Sequence, residues 1–344
     1  MTRLKDWAQL VRVPNTLTAS ADGLAGFSLA AGVWQASHAP ALIMISLASI
    51  ALYWAGMVLN DVNDLEQDRL QKRKGPLVDN RIGWATALRF GWGLIVAGVL
   101  LALLAGYLAH RSRLKGPLAE LEDAQFGTLV GAPLTPFLWL APGGVAVILA
   151  LLVVAYDSPL KRTPFASWIM GACRAVNLTM GIALGIAASV SPADAFERMG
   201  NAMYWVPIGH GLFVVGLTMA ARKESMLQQQ GWQLARGWGI SVLGIALVAA
   251  SAFQAGPGAL HYLTPEQGFP LLVLLLALPW FNRALQSIQF KSVPMLVRAI
   301  KQAIVTILFL DAAIALQFAG SFPGIFVCSL IVPTFLLGRW FRMT

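Results

Sequence analysis

The chain has 344 residues, is 57% hydrophobic and only 12% charged, and carries a formal net charge of +9 at pH 7; its mean hydropathy is +0.67. That composition excludes an ordinary soluble domain and reads as an all-helical, polytopic integral membrane protein. The excess of Lys and Arg sits in short loops between apolar stretches, so it reports topology and not a nucleic-acid surface.

Residues 1–15 read as an amphipathic interfacial helix, with Leu4, Trp7, Leu10 and Val11 set against Arg3, Lys5 and Arg12. No cleavable signal peptide is evident, so the apolar stretch 17–34 is expected to stay as the first span. Further stretches follow at 40–59, 84–109, 136–155, 168–190, 203–221, 237–254, 270–282, 302–319 and 322–338. Each approaches the ~20 residues a helix needs to cross the hydrocarbon core, although 270–282 is short, which gives nine or ten spans. The longest loop, around 110–134, is too short to bury a core, so 1–344 is expected to form a single membrane domain. With the N-terminus inside, all of the 25 Lys and Arg except Arg111, Arg113, Lys115 and Arg198 fall on the inner side. This is the positive-inside pattern; it favours an inside C-terminus and places the polar loops on the cytoplasmic face of the inner (plasma) membrane. Cys173 and Cys328 lie in different spans without metal-ligand spacing and read as buried apolar residues.

Directly after the second span comes Asn60-Asp61-Val62-Asn63-Asp64-Leu65-Glu66-Gln67-Asp68-Arg69. On a helix, Asp61, Asp64 and Asp68 share one face, and clustered carboxylates repel unless a cation joins them. Mg²⁺ suits the pattern, because it takes one or two carboxylates and leaves its other positions to water and phosphate oxygens. Arg69, Lys72, Arg73 and Lys74 follow at once, so acid and base are arranged as a metal-bridged diphosphate would require. A second basic loop, Tyr156–Pro164, and a third, Thr218–Ser225, end the fourth and sixth spans on the same side. Positive-inside bias alone supplies cations in such loops; their coincidence with the aspartates favours a shared site. Asp22 and Asp311 lie inside spans, where an ionised carboxylate costs about 3 kcal/mol by insertion scales and so turns toward the bundle interior.

Asn60-Asp61-x-x-Asp64-x-x-x-Asp68 after the second span, with Tyr156-x-x-x-Leu160-Lys161-Arg162 after the fourth, resembles the UbiA superfamily of intramembrane prenyltransferases. Tyr156–Thr163, Met170–Asn177 and Gly209-His210-Gly211 with Thr218 and Arg222-Lys223-Glu224 are similar to its EboC-like subgroup, encoded in bacterial ebo gene clusters, whose other products would be pathway partners. The resemblance implies a helical bundle around a central cavity, Mg²⁺ as cofactor, and an isoprenyl diphosphate donor whose tail lies among membrane lipids and apolar side chains. It implies that Asn60, Asp61, Asp64 and Asp68 hold Mg²⁺ and the diphosphate. Arg69, Arg73, Lys74, Tyr156, Lys161 and Arg162 would meet the diphosphate, and Arg174 and Asn177 would extend that polar floor. Asn15, Asp22, His210, Thr218 and Asp311 are candidates for the acceptor pocket or for proton removal, with partnered structural roles as the alternative. One departure stands out: 203–230 contains no Asp where the family places its second acidic motif. Either Glu224 and a threonine hydroxyl complete a modified site, with Arg222 replacing part of the metal charge, or the protein binds or moves a lipophilic intermediate without catalysis. A secondary transporter is a third reading, opposed by the absence of a visible inverted repeat.

Overall fold

Every apolar stretch singled out by hydropathy is helical in the computed structural model, which describes residues 4–113, 135–157, 160–222 and 231–340. The helices are α1 (Leu4–Leu10), α2 (Thr16–Ala31), α3 (Ala39–Leu70), α4 (Trp84–Arg113), α5 (Ala141–Asp157), α6 (Ala166–Ala188) and α7 (Pro192–Met199). Then come α8 (Ala202–Ala221), α9 (Gly231–Ala250), α10 (Gly268–Phe290), α11 (Val293–Ala319), α12 (Ser321–Ser329) and α13 (Ile331–Trp340). Among the described residues, nine segments are long and apolar enough to cross a membrane. The stretch left out is α2, whose 16 residues reach only about 24 Å at 1.5 Å per residue. It is nevertheless buried almost throughout. The last span is two helices, α12 and α13, separated by a break at Leu330.

The central position of α2 follows from its composition. It packs most extensively against α6, and also against α3 and α11. A Cβ on Gly26 would stand 2.0 Å from the Leu178 carbonyl oxygen, and one on Gly181 would stand 2.1 Å from that of Gly23. Backbone therefore meets backbone, which is how helices associate where lipid removes the hydrophobic contribution to pairing. On the periphery the pattern inverts: Trp92, Val96 and Leu100 of α4 and Leu271, Leu274, Leu275 and Leu278 of α10 are exposed, forming faces for hydrocarbon. Gly320, with φ +97°, ends α11 and turns the chain into α12, a conformation that a residue with a Cβ adopts only under strain.

The N-terminal segment departs from the expected interfacial helix. Only Leu4–Leu10 is α-helical, and it lies against the far end of α3. Leu10 and Val11 join Val58, Val62, Leu65, Leu77, Ile82 and Ala87 in a small core. Leu4 is exposed, whereas Asp6 is buried and ion-paired with Arg81. Arg12, placed by the sequence on the polar face, adopts a left-handed conformation (φ 52°) at the turn into α2, and its side chain points toward Asp61.

Candidate active site at the aspartate end of the bundle

The whole aspartate run is helical as the last part of α3, so Asp61, Asp64 and Asp68 do share one side of that helix. Their side chains are 26%, 21% and 19% exposed. Half-burial of three like charges calls for compensation, and each carboxylate has a cation from a different part of the chain. Arg12 Nη2 lies 3.4 Å from Asp61 Oδ1. Lys161 pairs with Asp64 and donates to Asn60 Oδ1 at 2.6 Å. Arg73 lies 3.2 Å from Asp68. The Lys161 loop is itself anchored, because Arg222 at the end of α8 donates to the carbonyls of Lys161 and Thr163, both at 3.0 Å. Arg222 thus ties the second basic loop to α8. The other predicted cations sit further out: Arg69 donates to Asn80 at 2.8 Å, while Lys74 and Arg162 are exposed.

One turn before Asn60, Gly56 and Met57 of α3 line a cavity of about 400 Å³, within the ~300–1,000 Å³ of small-molecule pockets. Polar side chains line it, among them Arg12, Asn15, Tyr156, Asp157, Arg174 and Asn177, interspersed with apolar ones such as Leu52, Val153 and Met170. The helices that bound it are α2, α3, α5, α6, α8 and α11. Asn177 is fixed in the wall: Ser49 Oγ donates to its Oδ1, and its Nδ2 donates to Ala19 O and Asp22 Oδ2, each at 2.8 Å. Arg174 does not snorkel to an interface; its side chain is 14% exposed and reaches Asp22 Oδ2 at 3.1 Å. Thr218 donates to Val214 O at 2.8 Å, within its own helix.

Asp22, His210 and Asp311 stand behind this wall rather than in it. All three are fully buried, and polar atoms of α2, α8 and α11 gather within 4.8 Å there. His210 Nε2 lies 2.9 Å from Asp311 Oδ1, although neither atom makes an aligned hydrogen bond. These candidates for the acceptor pocket are one layer removed from the cavity, with Arg174 and Asn177 between. Glu224 and Lys223 lie outside the described residues.

Two residues with evident chemistry escaped the sequence reading. Arg12 looked like part of an interfacial polar face, and only the left-handed turn brings it to Asp61. Asp157 was passed over between Tyr156 and Lys161, yet it is 4% exposed and faces the cavity. A carboxylate closing an apolar span next to a basic loop was a signal that could have found it.

The donor set fits Mg²⁺. The available groups are all hard oxygens, the carboxylates come from one helix face plus Asp157, and Asp157 Oδ2 has no hydrogen-bond partner among the described residues.

The profile of the UbiA prenyltransferase family matches residues 23–110, which include the aspartate run. Digeranylgeranylglyceryl phosphate synthase of Metallosphaera sedula is 31% identical over 106 residues, 30% of this chain and 36% of the relative. That of Methanocaldococcus jannaschii is 31% identical over 103 residues, with 30% and 36% covered. The matched stretch thus spans about a third of the length of these relatives. A solved structure from a study of digeranylgeranylglyceryl phosphate synthase in membranes superposes with a TM-score of 0.58 at 17% identity, covering 92% of this chain and 99% of the other. A UbiA homologue from Archaeoglobus fulgidus bound to GPP and Mg²⁺ gives 0.56 at 11% identity, covering 94% and 99%. The fold is that of the UbiA homologues, and the chain is a multi-pass membrane protein.

Proposed function

We propose that the protein is an Mg²⁺-dependent integral-membrane prenyltransferase that moves an isoprenyl group from an isoprenyl diphosphate to a small lipophilic acceptor, with the aspartate end of the bundle on the cytoplasmic side. The observation that carries this reading is the juxtaposition of a cation-balanced aspartate run with a cavity lined by both polar and apolar side chains. Asp61, Asp64 and Asp68 hold the metal, with Asn60 at their base. Mg²⁺, when bound, neutralises the diphosphate and withdraws charge from its leaving group. Lys161 and Arg12, which pair with Asp64 and Asp61 here, would stabilise charge on the departing pyrophosphate. Side chains such as Leu52, Val153 and Met170 exclude water from the allylic cation until the acceptor attacks. Asn15, Tyr53 and Thr218, which line the cavity, would orient that acceptor. The motif resemblance to EboC-like proteins supports placing the chain in that subgroup, with partners encoded beside it.

A second reading has its own support: the described part of the α8 end presents Arg222 bonded to carbonyls where the family resemblance calls for an acidic motif. On that reading the protein binds a polyprenyl lipid and does not cleave it. Pyrophosphate release from isoprenyl diphosphates of several lengths, measured with Mg²⁺ in lipid against a panel of acceptors, separates the two. Release that is lost in Asp64→Ala supports transfer; tight Mg²⁺-dependent binding without release supports the lipid-binding role.

A further inference from the structure

We infer that Asp157, at the end of α5, supplies the second carboxylate arm of the cation and diphosphate site. This inference rests on the functional reading above. The first arm, on α3, offers carboxylates from one helix only, and a diphosphate held between metal ions needs oxygen ligands from more than one direction. At the α8 end, Arg222 is engaged with the carbonyls of the Lys161 loop, so that place in the described structure holds a cation.

Asp157 meets the requirement on several independent grounds. It is 4% exposed, and its Oδ2 has no hydrogen-bond partner among the described residues. It faces the cavity alongside Tyr156, Arg12 and Arg174. It lies within electrostatic reach of Asp61 and Asp64 on the opposite helix, and of Lys161 and Arg12. Lys161, four residues on, is the natural structural partner for it, yet Lys161 is spent on Asn60 and Asp64 instead. A buried carboxylate left without a partner destabilises a fold, and two further aspartates nearby add repulsion. That arrangement is useful where a cation arrives with the ligand. Asp157 approaches from α5 and the aspartate run from α3, so a metal-diphosphate unit bound between them would meet carboxylates from two helices.

The test uses full-length protein in lipid nanodiscs with inorganic pyrophosphate as the probe, titrated calorimetrically at a series of Mg²⁺ concentrations. Wild type is compared with Asp157→Asn, Asp157→Glu and Asp64→Asn, and each variant's thermal unfolding is recorded without Mg²⁺. The expected result is that Asp157→Asn weakens Mg²⁺-dependent pyrophosphate binding about ten- to a hundredfold, as Asp64→Asn does. Asp157→Glu restores part of the loss. Without Mg²⁺, Asp157→Asn should unfold at the same or a higher temperature than wild type, because an uncompensated buried charge is gone; a purely structural carboxylate predicts a lower one. Wild-type affinity in Asp157→Asn beside a loss in Asp64→Asn overturns the assignment of Asp157 alone. Should Asp157→Asn unfold early, Asp157→Glu decides: partial recovery of Mg²⁺-dependent binding in a stably folded Asp157→Glu supports the inference, and no recovery overturns it. Absence of Mg²⁺-dependent binding in wild type overturns both this inference and the functional reading.

Discussion

Arg174→Met is the perturbation that most directly probes the wall of the cavity, because the two partners of the Arg174–Asp22 pair are buried unequally. Asp22 is fully buried, whereas the Arg174 side chain is 14% exposed and borders the cavity. Removing the arginine takes away the cation beside Asp22 and leaves it with Asn177 Nδ2 and the buried Asp311 and His210 as neighbours, which destabilises by about 3–5 kcal/mol. Asp22→Asn leaves the guanidinium free to take water from the cavity, so the loss should be smaller, about 1–3 kcal/mol. The double variant removes both charges and should be more stable than Arg174→Met alone, with a coupling of at least about 1.5 kcal/mol. The assay is reversible unfolding in mixed micelles by SDS titration, followed by tryptophan fluorescence, with the four proteins forming a cycle. Equal costs for the two single variants, or a coupling near zero, would refute the argument that an ion pair orders this wall.

Three further outcomes follow from the geometry. Gly181→Ala places a Cβ 2.1 Å from the Gly23 carbonyl oxygen, so α2 and α6 must part by more than an ångström; a loss of about 1–3 kcal/mol in the same unfolding assay is expected. Arg222→Ala frees the carbonyls of Lys161 and Thr163, and should raise KM for the isoprenyl diphosphate more than it lowers kcat, whereas Arg222→Lys should recover little because one ammonium cannot reach both carbonyls in the same fork. Arg12→Ala removes the cation beside Asp61 and should weaken diphosphate binding about three- to thirtyfold while leaving the fold intact, as read by titration and circular dichroism.

Much of the architecture was legible because hydropathy and helix periodicity are local properties. All ten apolar stretches are helical, and the aspartate run lies along α3 as its i, i+3, i+7 spacing indicated. The length of α2 was less legible: the pattern suggested a full span, but Gly32, at φ +74°, ends the helix at Ala31. What sequence could not supply is which side chains meet across helices. Arg12 reaches Asp61 through a turn whose conformation depends on α1 docking on α3. Asp22 and His210 read as acceptor candidates because both are polar groups in spans, yet the close crossing of α2 and α6 at Gly26 and Gly181 puts Arg174 and Asn177 in front of them. The role of Asp157 is not legible locally, since Tyr156 and Lys161 carry the motif around it and its burial against the cavity depends on helices far away in sequence.

The most direct test of the account is Mg²⁺-dependent pyrophosphate release by the purified protein in lipid, with isoprenyl diphosphates of several lengths and candidate acceptors, wild type beside Asp64→Ala. Release that requires Mg²⁺, and that falls by at least about a hundredfold in Asp64→Ala, is the result the account predicts. Release that continues in chelator or in Asp64→Ala, or no release with any donor and acceptor despite Mg²⁺-dependent binding, would contradict it.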